Sequence, residues 1–66
     1  MIVEVNGKQV ELAPGATVAS VLEQLSVEAA GVAVALNDEV VPRSAWAETA
    51  LGTNDRVEVL TAAQGG

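Results

Sequence analysis

The group with the clearest chemical use in this sequence is the carboxylate carried by Gly65-Gly66 at the C-terminal end. Neither residue has a Cβ atom, so the segment fits a channel too narrow for side chains and adopts backbone angles closed to other residues. The terminal carboxylate, with a pKa of about 3.3–3.7, is ionised at neutral pH. An anion is a poor electrophile, so we expect chemistry at Gly66 to require activation by another protein.

The composition restricts other chemistry. The 66 residues include no cysteine and no histidine, which excludes disulfides, thiolate metal sites and the commonest general base. An enzyme would have to work with carboxylates and Lys8 alone. We therefore expect no catalytic residues, no metal site and no bound cofactor. Asp38-Glu39 is interpreted as a solvated turn, because no nearby residues complete a set of metal ligands.

The formal net charge of −6 limits the classes of partner. Phosphate contacts need clustered Lys and Arg, so we expect no binding to nucleic acid. The charge suits a basic surface on another protein, and it equally suits plain solubility. No apolar run approaches the roughly 20 residues of a membrane span, and no basic region precedes the first apolar residues. We expect a cytoplasmic protein that is a monomer when free and does not bind a membrane.

Alternating and β-branched residues predict strands in five places. These are residues 1–5, 8–12, 32–36, 39–41 and 56–62. Asn6-Gly7 is typical of a two-residue hairpin turn. Thr17 is a predicted N-cap, followed by an apolar stripe at helical spacing, although the third helical position lacks the Glu or Gln of a complete capping box. The stripe consists of Val18, Val21, Leu22 and Leu25.

This order of elements predicts an α+β fold of the β-grasp type. A mixed sheet of four to five strands would pack on one main helix, with the first and last strands central and adjacent. We assign residues 1–62 to this domain and residues 63–66 to a flexible C-terminal Gly-Gly tail. Trp46 is predicted to close the core, and Arg43 to form a structural ion pair or to contact a partner.

The sheet face away from the helix is predicted to be unusually apolar. It would carry Ile2, Leu60 and Ala62, with two alanines and an acidic pair beside them. Solvated faces are mostly polar, although scattered surface apolar residues are common. We interpret these three residues as a docking patch, because the patch follows the strand that leads to Gly66.

Several stretches resemble the ThiS family, the ubiquitin-like sulfur carrier proteins of thiamin (thiazole) biosynthesis. They are Ala35-Leu36-Asn37, residues 40–44 with Trp46, residues 49–51, residues 55–59 and the Gly65-Gly66 end, with a helix start at Thr17-Val18 and Leu22. Two positions depart from the family pattern. Asn54 stands where the family often has Gly, and Asn tolerates left-handed backbone angles. Gln64 is more polar than the residue of many members.

The resemblance implies a carrier and not an enzyme. An adenylyltransferase related to ubiquitin-activating enzymes would use ATP and Mg²⁺ to adenylate Gly66. A persulfide sulfur donor would then displace AMP, and thiazole synthase would take the sulfur from the resulting thiocarboxylate. Gln64 and Gly65 would be recognised as part of the tail.

Other functions fit the same features. The small subunit of molybdopterin synthase has the same fold, tail and thiocarboxylate, although it is usually longer. A non-covalent ubiquitin-like binding module would use the sheet face and leave the tail unmodified. Attachment to lysines of other proteins would also use Gly66. A terminal Gly-Gly also arises by chance or from an expression scar, so it carries weight only together with the rest of the chain.

Overall fold

The computed structural model describes residues 1–28 and 30–61. In chain order the elements are β1 (Ile2–Val5), β2 (Lys8–Glu11), α1 (Val18–Gln24), β3 (Val32–Leu36), β4 (Glu39–Val41), a 3₁₀ helix (Arg43–Glu48) and β5 (Arg56–Thr61). The predicted tail, residues 63–66, and Ala62 at the end of the predicted last strand lie outside the described residues. The longest helix described, α1, has 7 residues. Among the described residues, no helix is long and apolar enough to cross a membrane.

The sheet has five strands in the order β2-β1-β5-β3-β4. The two strands furthest apart in sequence, β1 and β5, lie side by side and parallel, with Val5 opposite Val57. The other neighbouring pairs are antiparallel. This is the mixed sheet that the sequence predicts, with the first and last strands adjacent and β5 at its centre.

Two tight turns connect the hairpins. Asn6 and Gly7 have φ angles of 51° and 83°, and the positive values at both positions are what a type I′ turn requires. Asn37 and Asp38 have φ angles of 51° and 73°, so the second turn adopts left-handed angles without a glycine. Asp38 is held there by an ion pair with Arg56. The hydrogen bond from Arg56 and the charge of Asp38 raise the pKa of the guanidinium group.

Helix α1 starts with a complete capping box, contrary to the expectation from the sequence. The backbone N of Ser20 donates to Thr17 Oγ1 at 3.3 Å, and the backbone N of Thr17 donates to Ser20 Oγ at 3.0 Å. A serine hydroxyl at the third helical position therefore makes the bond expected of Glu or Gln. The helix ends at Gln24, so Leu25 caps it and stays 39% exposed instead of extending the buried stripe.

The core lies between α1 and one face of the sheet. Its buried members are Val3, Val5, Leu12, Ala16, Val18, Val21, Leu22, Val34, Trp46, Leu51, Val57 and Val59. Trp46 is 5% exposed and its Nε1 donates to the carbonyl of Val41 at 2.9 Å, so the indole is both packed and hydrogen-bonded. The structure thus confirms that Trp46 closes the core.

Candidate functional site

The predicted modification site, Gly66, and the predicted recognition residues Gln64 and Gly65 lie outside the described residues, as does Ala62. What the structure describes is the strand that precedes them. β5 is flanked by β1 and β3, and its pairing with β3 runs from Leu36–Val57 to Val32–Thr61. The chain therefore enters the tail from a strand that is paired with β3 up to Thr61.

The second half of β5 is also held by a side chain, at Val59. Backbone pairing with β1 is recorded at Glu4–Arg56 and Val5–Val57, and the next residue, Asn6, begins the turn. Its Oδ1 accepts from the backbone N of Val59 at 2.8 Å, and its Nδ2 donates to the carbonyl of Val59 at 3.1 Å. Sequence analysis assigned Asn6 only to the turn, since nothing local indicates a contact with a residue so distant in sequence.

The start of β5 is fixed in a similar way by Asn37. Its Oδ1 accepts from the backbone N of Arg56 at 2.9 Å, and its own backbone N donates to the carbonyl of Arg56 at 2.7 Å. Its Nδ2 donates to Asp55 Oδ1 at 3.1 Å. Asn54 in the preceding turn has a φ of 73°, so this asparagine does adopt the left-handed angle.

The face of the sheet away from α1 carries an exposed apolar surface near the end of β5. Leu60 is 69% exposed and lies opposite Ala33, and Val40 is 77% exposed and lies opposite Ala35. We call these four residues the Leu60 patch. The two alanines form a low floor between the larger side chains, and Glu58, opposite Ala35, adds a negative charge at the edge.

Ile2 lies on the same face but not in the Leu60 patch. It is 38% exposed, and its carbonyl accepts from the backbone N of Asn54, before β5 begins. At about 3.3 Å per residue, Leu60 stands roughly 20 Å further along the strand. The structure therefore separates two residues that sequence analysis placed in one docking patch.

Sequence analysis did not include Val40 in the patch. Strand β4 has 3 residues, and Val40 and Val41 are both apolar, so periodicity does not reveal which side chain faces outward. The pairing register settles this question, because Val41 lies opposite the buried Val34 and Val40 opposite Ala35.

The other charged candidates are exposed. The ion pair found within residues 1–28 and 30–61 is Arg56–Asp38, so a structural pair for Arg43 is not present in that part of the chain. The same residues hold no group of three or more His, Cys, Asp or Glu side chains that could bind a metal ion. Asp38 and Glu39 are both exposed, in the turn and at the start of β4.

Comparison with known proteins gives a consistent result. The model of the ThiS family matches residues 3–66. The sulfur carrier protein ThiS of Escherichia coli (strain K12) is 36% identical over 61 residues, which are 92% of this chain and 92% of that protein. A thiazole synthase of Paramagnetospirillum magneticum is 34% identical over 62 residues, which are 94% of this chain but 19% of that protein.

Solved structures show the same similarity in three dimensions. The crystal structure of the thiamine biosynthesis protein ThiS from Geobacter metallireducens superimposes with a TM-score of 0.83 at 38% identity, covering 100% of both chains. A solution structure of a thiamine biosynthesis protein from the same organism gives a TM-score of 0.76 at 40% identity, covering 91% of this chain and 81% of that one.

Proposed function

The chain belongs to the ThiS family of sulfur carriers for thiamin thiazole biosynthesis, and on this basis we propose that the carboxylate of Gly66 is the group that carries the sulfur. A member of this family is a carrier on which partner enzymes act, and not itself an enzyme. The observation that supports Gly66 most directly is that the family match extends through residue 66. Gln64 and Gly65 are the proposed recognition residues of the tail.

The proposed chemistry needs two steps at one carbon atom. The carboxylate of Gly66 attacks the α-phosphorus of ATP, with Mg²⁺ on the partner enzyme, and forms an acyl adenylate while pyrophosphate leaves. A persulfide sulfur then attacks the carbonyl carbon and expels AMP, giving an acyl disulfide. A second thiol cleaves the S–S bond, leaves with the donor as a disulfide, and releases the thiocarboxylate on Gly66.

The proposed partners are an adenylyltransferase related to ubiquitin-activating enzymes, a persulfide donor and thiazole synthase. Support for the last comes from the Paramagnetospirillum magneticum protein, in which a segment similar to this chain forms 19% of a thiazole synthase. A carrier segment within a synthase indicates that the two act in sequence. We infer a cytoplasmic protein that is monomeric when free, without nucleic acid or membrane partners.

We propose that the Leu60 patch docks the adenylating enzyme. An enzyme that holds the carboxylate of Gly66 must lie close to the end of β5, where Leu60 stands only one residue before the end of the strand. Exposed apolar side chains over a floor of alanines suit an apolar projection of the partner, and Glu58 favours a basic residue beside it. Ala62 would extend this contact area, whereas Ile2 stands too far along the sheet to belong to it.

The decisive experiment is intact mass spectrometry of the chain after incubation with the activating enzyme, ATP, Mg²⁺ and a persulfide donor. We expect a mass increase equal to the difference between sulfur and oxygen, which peptide fragmentation places on Gly66. The Escherichia coli ThiS protein in a parallel reaction shows that the reagents are active. An unchanged mass beside a modified control would refute the carrier proposal for Gly66 and leave a non-covalent binding module.

The molybdopterin branch predicts a different acceptor. The thiocarboxylate form would then support dithiolene formation with a molybdopterin synthase large subunit and not thiazole formation with thiazole synthase. The thiamin branch is favoured because the relatives named above are proteins of thiamin biosynthesis over nearly the whole chain. Attachment to other proteins would instead appear as Gly66 joined to lysines in the same mass spectra.

A further inference from the structure

We propose that Asn6 is a positioning residue for the sulfur-loading reaction, because it holds β5 at Val59, beyond the last pair with β1 and on the side of the strand that leads to the tail. This inference rests on the proposed function of Gly66. It assigns to a turn residue at the opposite end of the sequence the task of orienting the strand that presents the tail to the activating enzyme.

Asn6 lies at the point where the pairing of β1 with β5 ends. The backbone N of Asn6 donates to the carbonyl of Val57 at 2.9 Å, after which the left-handed φ of 51° turns the chain away into the hairpin. No described β1 residue is paired with β5 beyond Val57, although β5 continues to Thr61. The Asn6 amide then binds both backbone groups of Val59, so one side chain takes the place of one residue of a neighbouring strand.

The two bonds to Val59 depend on the type of residue at position 6. Asparagine has an amide donor and a carbonyl acceptor in one short side chain, and it tolerates left-handed angles. Aspartate at residue 6 would keep an acceptor for the Val59 N–H but would place a carboxylate oxygen against the Val59 carbonyl. Glycine would keep the turn conformation and remove both bonds. We call the two bonds between Asn6 and Val59 the clamp. Asn6→Gly removes the clamp but keeps the turn, and Asn6→Asp keeps one of the two bonds.

Loss of the bonds between Asn6 and Val59 has a consequence for the tail. Without Asn6, every residue of β5 beyond Val57 is held only by β3, through pairs such as Val34–Val59 and Val32–Thr61. A strand held on one side twists and frays more readily than one held on both. Because the carboxylate of Gly66 lies only a short chain beyond Thr61, a change in the direction of the strand alters how often the carboxylate reaches the adenylation site.

The chain contains a matched control in Asn37. This residue has the same φ of 51°, also follows a strand, and also binds β5 through its side chain, but its partner Arg56 is at the start of β5, far from the tail. Asn37→Gly removes the side-chain bond to Arg56 at the start of β5 and leaves the bonds between Asn6 and Val59 in place. If Asn6→Gly loses function and Asn37→Gly does not, the loss is due to the position of the Asn6 bonds along β5 and not to general destabilisation of the fold.

The experiment compares wild type, Asn6→Gly, Asn6→Asp and Asn37→Gly at a temperature where thermal melts show all four folded. Steady-state kinetics of thiocarboxylate formation are measured with the carrier as varied substrate, together with amide hydrogen exchange at Val59. For Asn6→Gly we expect faster exchange at Val59 and a loss in kcat/KM of about thirtyfold, the factor that two net hydrogen bonds represent. Asn6→Asp should fall between Asn6→Gly and wild type, and Asn37→Gly should stay within about twofold of wild type.

Two failures are distinguishable. If wild type is loaded with sulfur and Asn6→Gly matches wild type or Asn37→Gly in kcat/KM, the positioning role of Asn6 is refuted while the carrier function stands. If wild type itself is never loaded beside an active control carrier, the proposed function of Gly66 fails, and the positioning role falls with it.

Discussion

Ser20 completes the cap of α1 with a hydroxyl group where sequence patterns usually show a longer side chain. The two reciprocal bonds with Thr17 satisfy backbone N–H groups that the first turn of a helix leaves unpaired. With only 7 residues, α1 has little helical stability of its own. The cap and the buried face of the helix together account for its formation.

We therefore expect Ser20→Ala to destabilise the protein by about 1 kcal/mol, within the range of cap substitutions. Ser20→Glu should retain most of the stability, because glutamate at this position forms the standard capping box. Urea unfolding followed by circular dichroism measures both. Equal losses for alanine and glutamate would show that the serine contributes by packing and not by capping.

Trp46 contributes both burial and a hydrogen bond to the carbonyl of Val41. Trp46→Phe should cost at least the net value of that bond, about 1 kcal/mol. Trp46→Ala should cost about 3–5 kcal/mol, because it leaves a cavity between α1 and the sheet. Trp46 is the only tryptophan, so far-ultraviolet circular dichroism is the suitable probe. A phenylalanine variant as stable as wild type would show that the indole N–H contributes nothing net.

Leu60 and Ile2 are exposed apolar residues at well-separated positions on the outward face of the sheet. Comparing substitutions at these two positions tests where the partner docks. Leu60→Asp is expected to weaken binding to the activating enzyme by about 2 kcal/mol, as for a residue at an interface hot spot. Ile2→Asp places the same charge on the same face, near the start of β5, and should change the affinity much less. Titration calorimetry, accompanied by melting curves for both variants, measures the difference.

The outcome decides between two descriptions of the face. Equal losses for the two variants would mean that the partner contacts Ile2 as well as Leu60, as the docking patch predicted from sequence requires. A loss confined to Leu60, repeated in Val40→Asp, would limit the contact to the end of the sheet that leads into the tail.

The strands could be predicted from sequence because each carries local signals, such as the Asn6-Gly7 turn and the apolar alternation of residues 56–61. Of their order in the sheet, the sequence predicts that the first and last strands are adjacent. The outward direction of Val40 could not be predicted, because a strand of 3 residues shows no period. The clamp between Asn6 and Val59 could not either, since it joins residues 53 positions apart and exists only once β1 and β5 are parallel neighbours. The contacts that orient the candidate site thus could not be predicted from sequence, and its chemical end group at Gly66 stays a prediction.

For the molecule as a whole, stability and function are assigned to different parts of the chain. The buried residues of the described chain run from Val3 to Val59, whereas the proposed chemistry is at Gly66. Deletion of Gly66 should therefore leave the melting temperature within about 1 °C of wild type, because a glycine carries no side chain to bury, and should abolish thiocarboxylate formation. Thiazole formation by the truncated chain in a reconstituted reaction would contradict the carrier proposal.

The central place of β5 has a further effect during synthesis. A nascent chain that has not yet emerged as far as residue 56 holds the hairpin of β1 and β2 and the hairpin of β3 and β4, with nothing to join them. The core of such an intermediate lacks Val57 and Val59, and incompletely packed intermediates of this kind are prone to aggregation. The complete sheet therefore forms only after the strand that leads to the tail has been made.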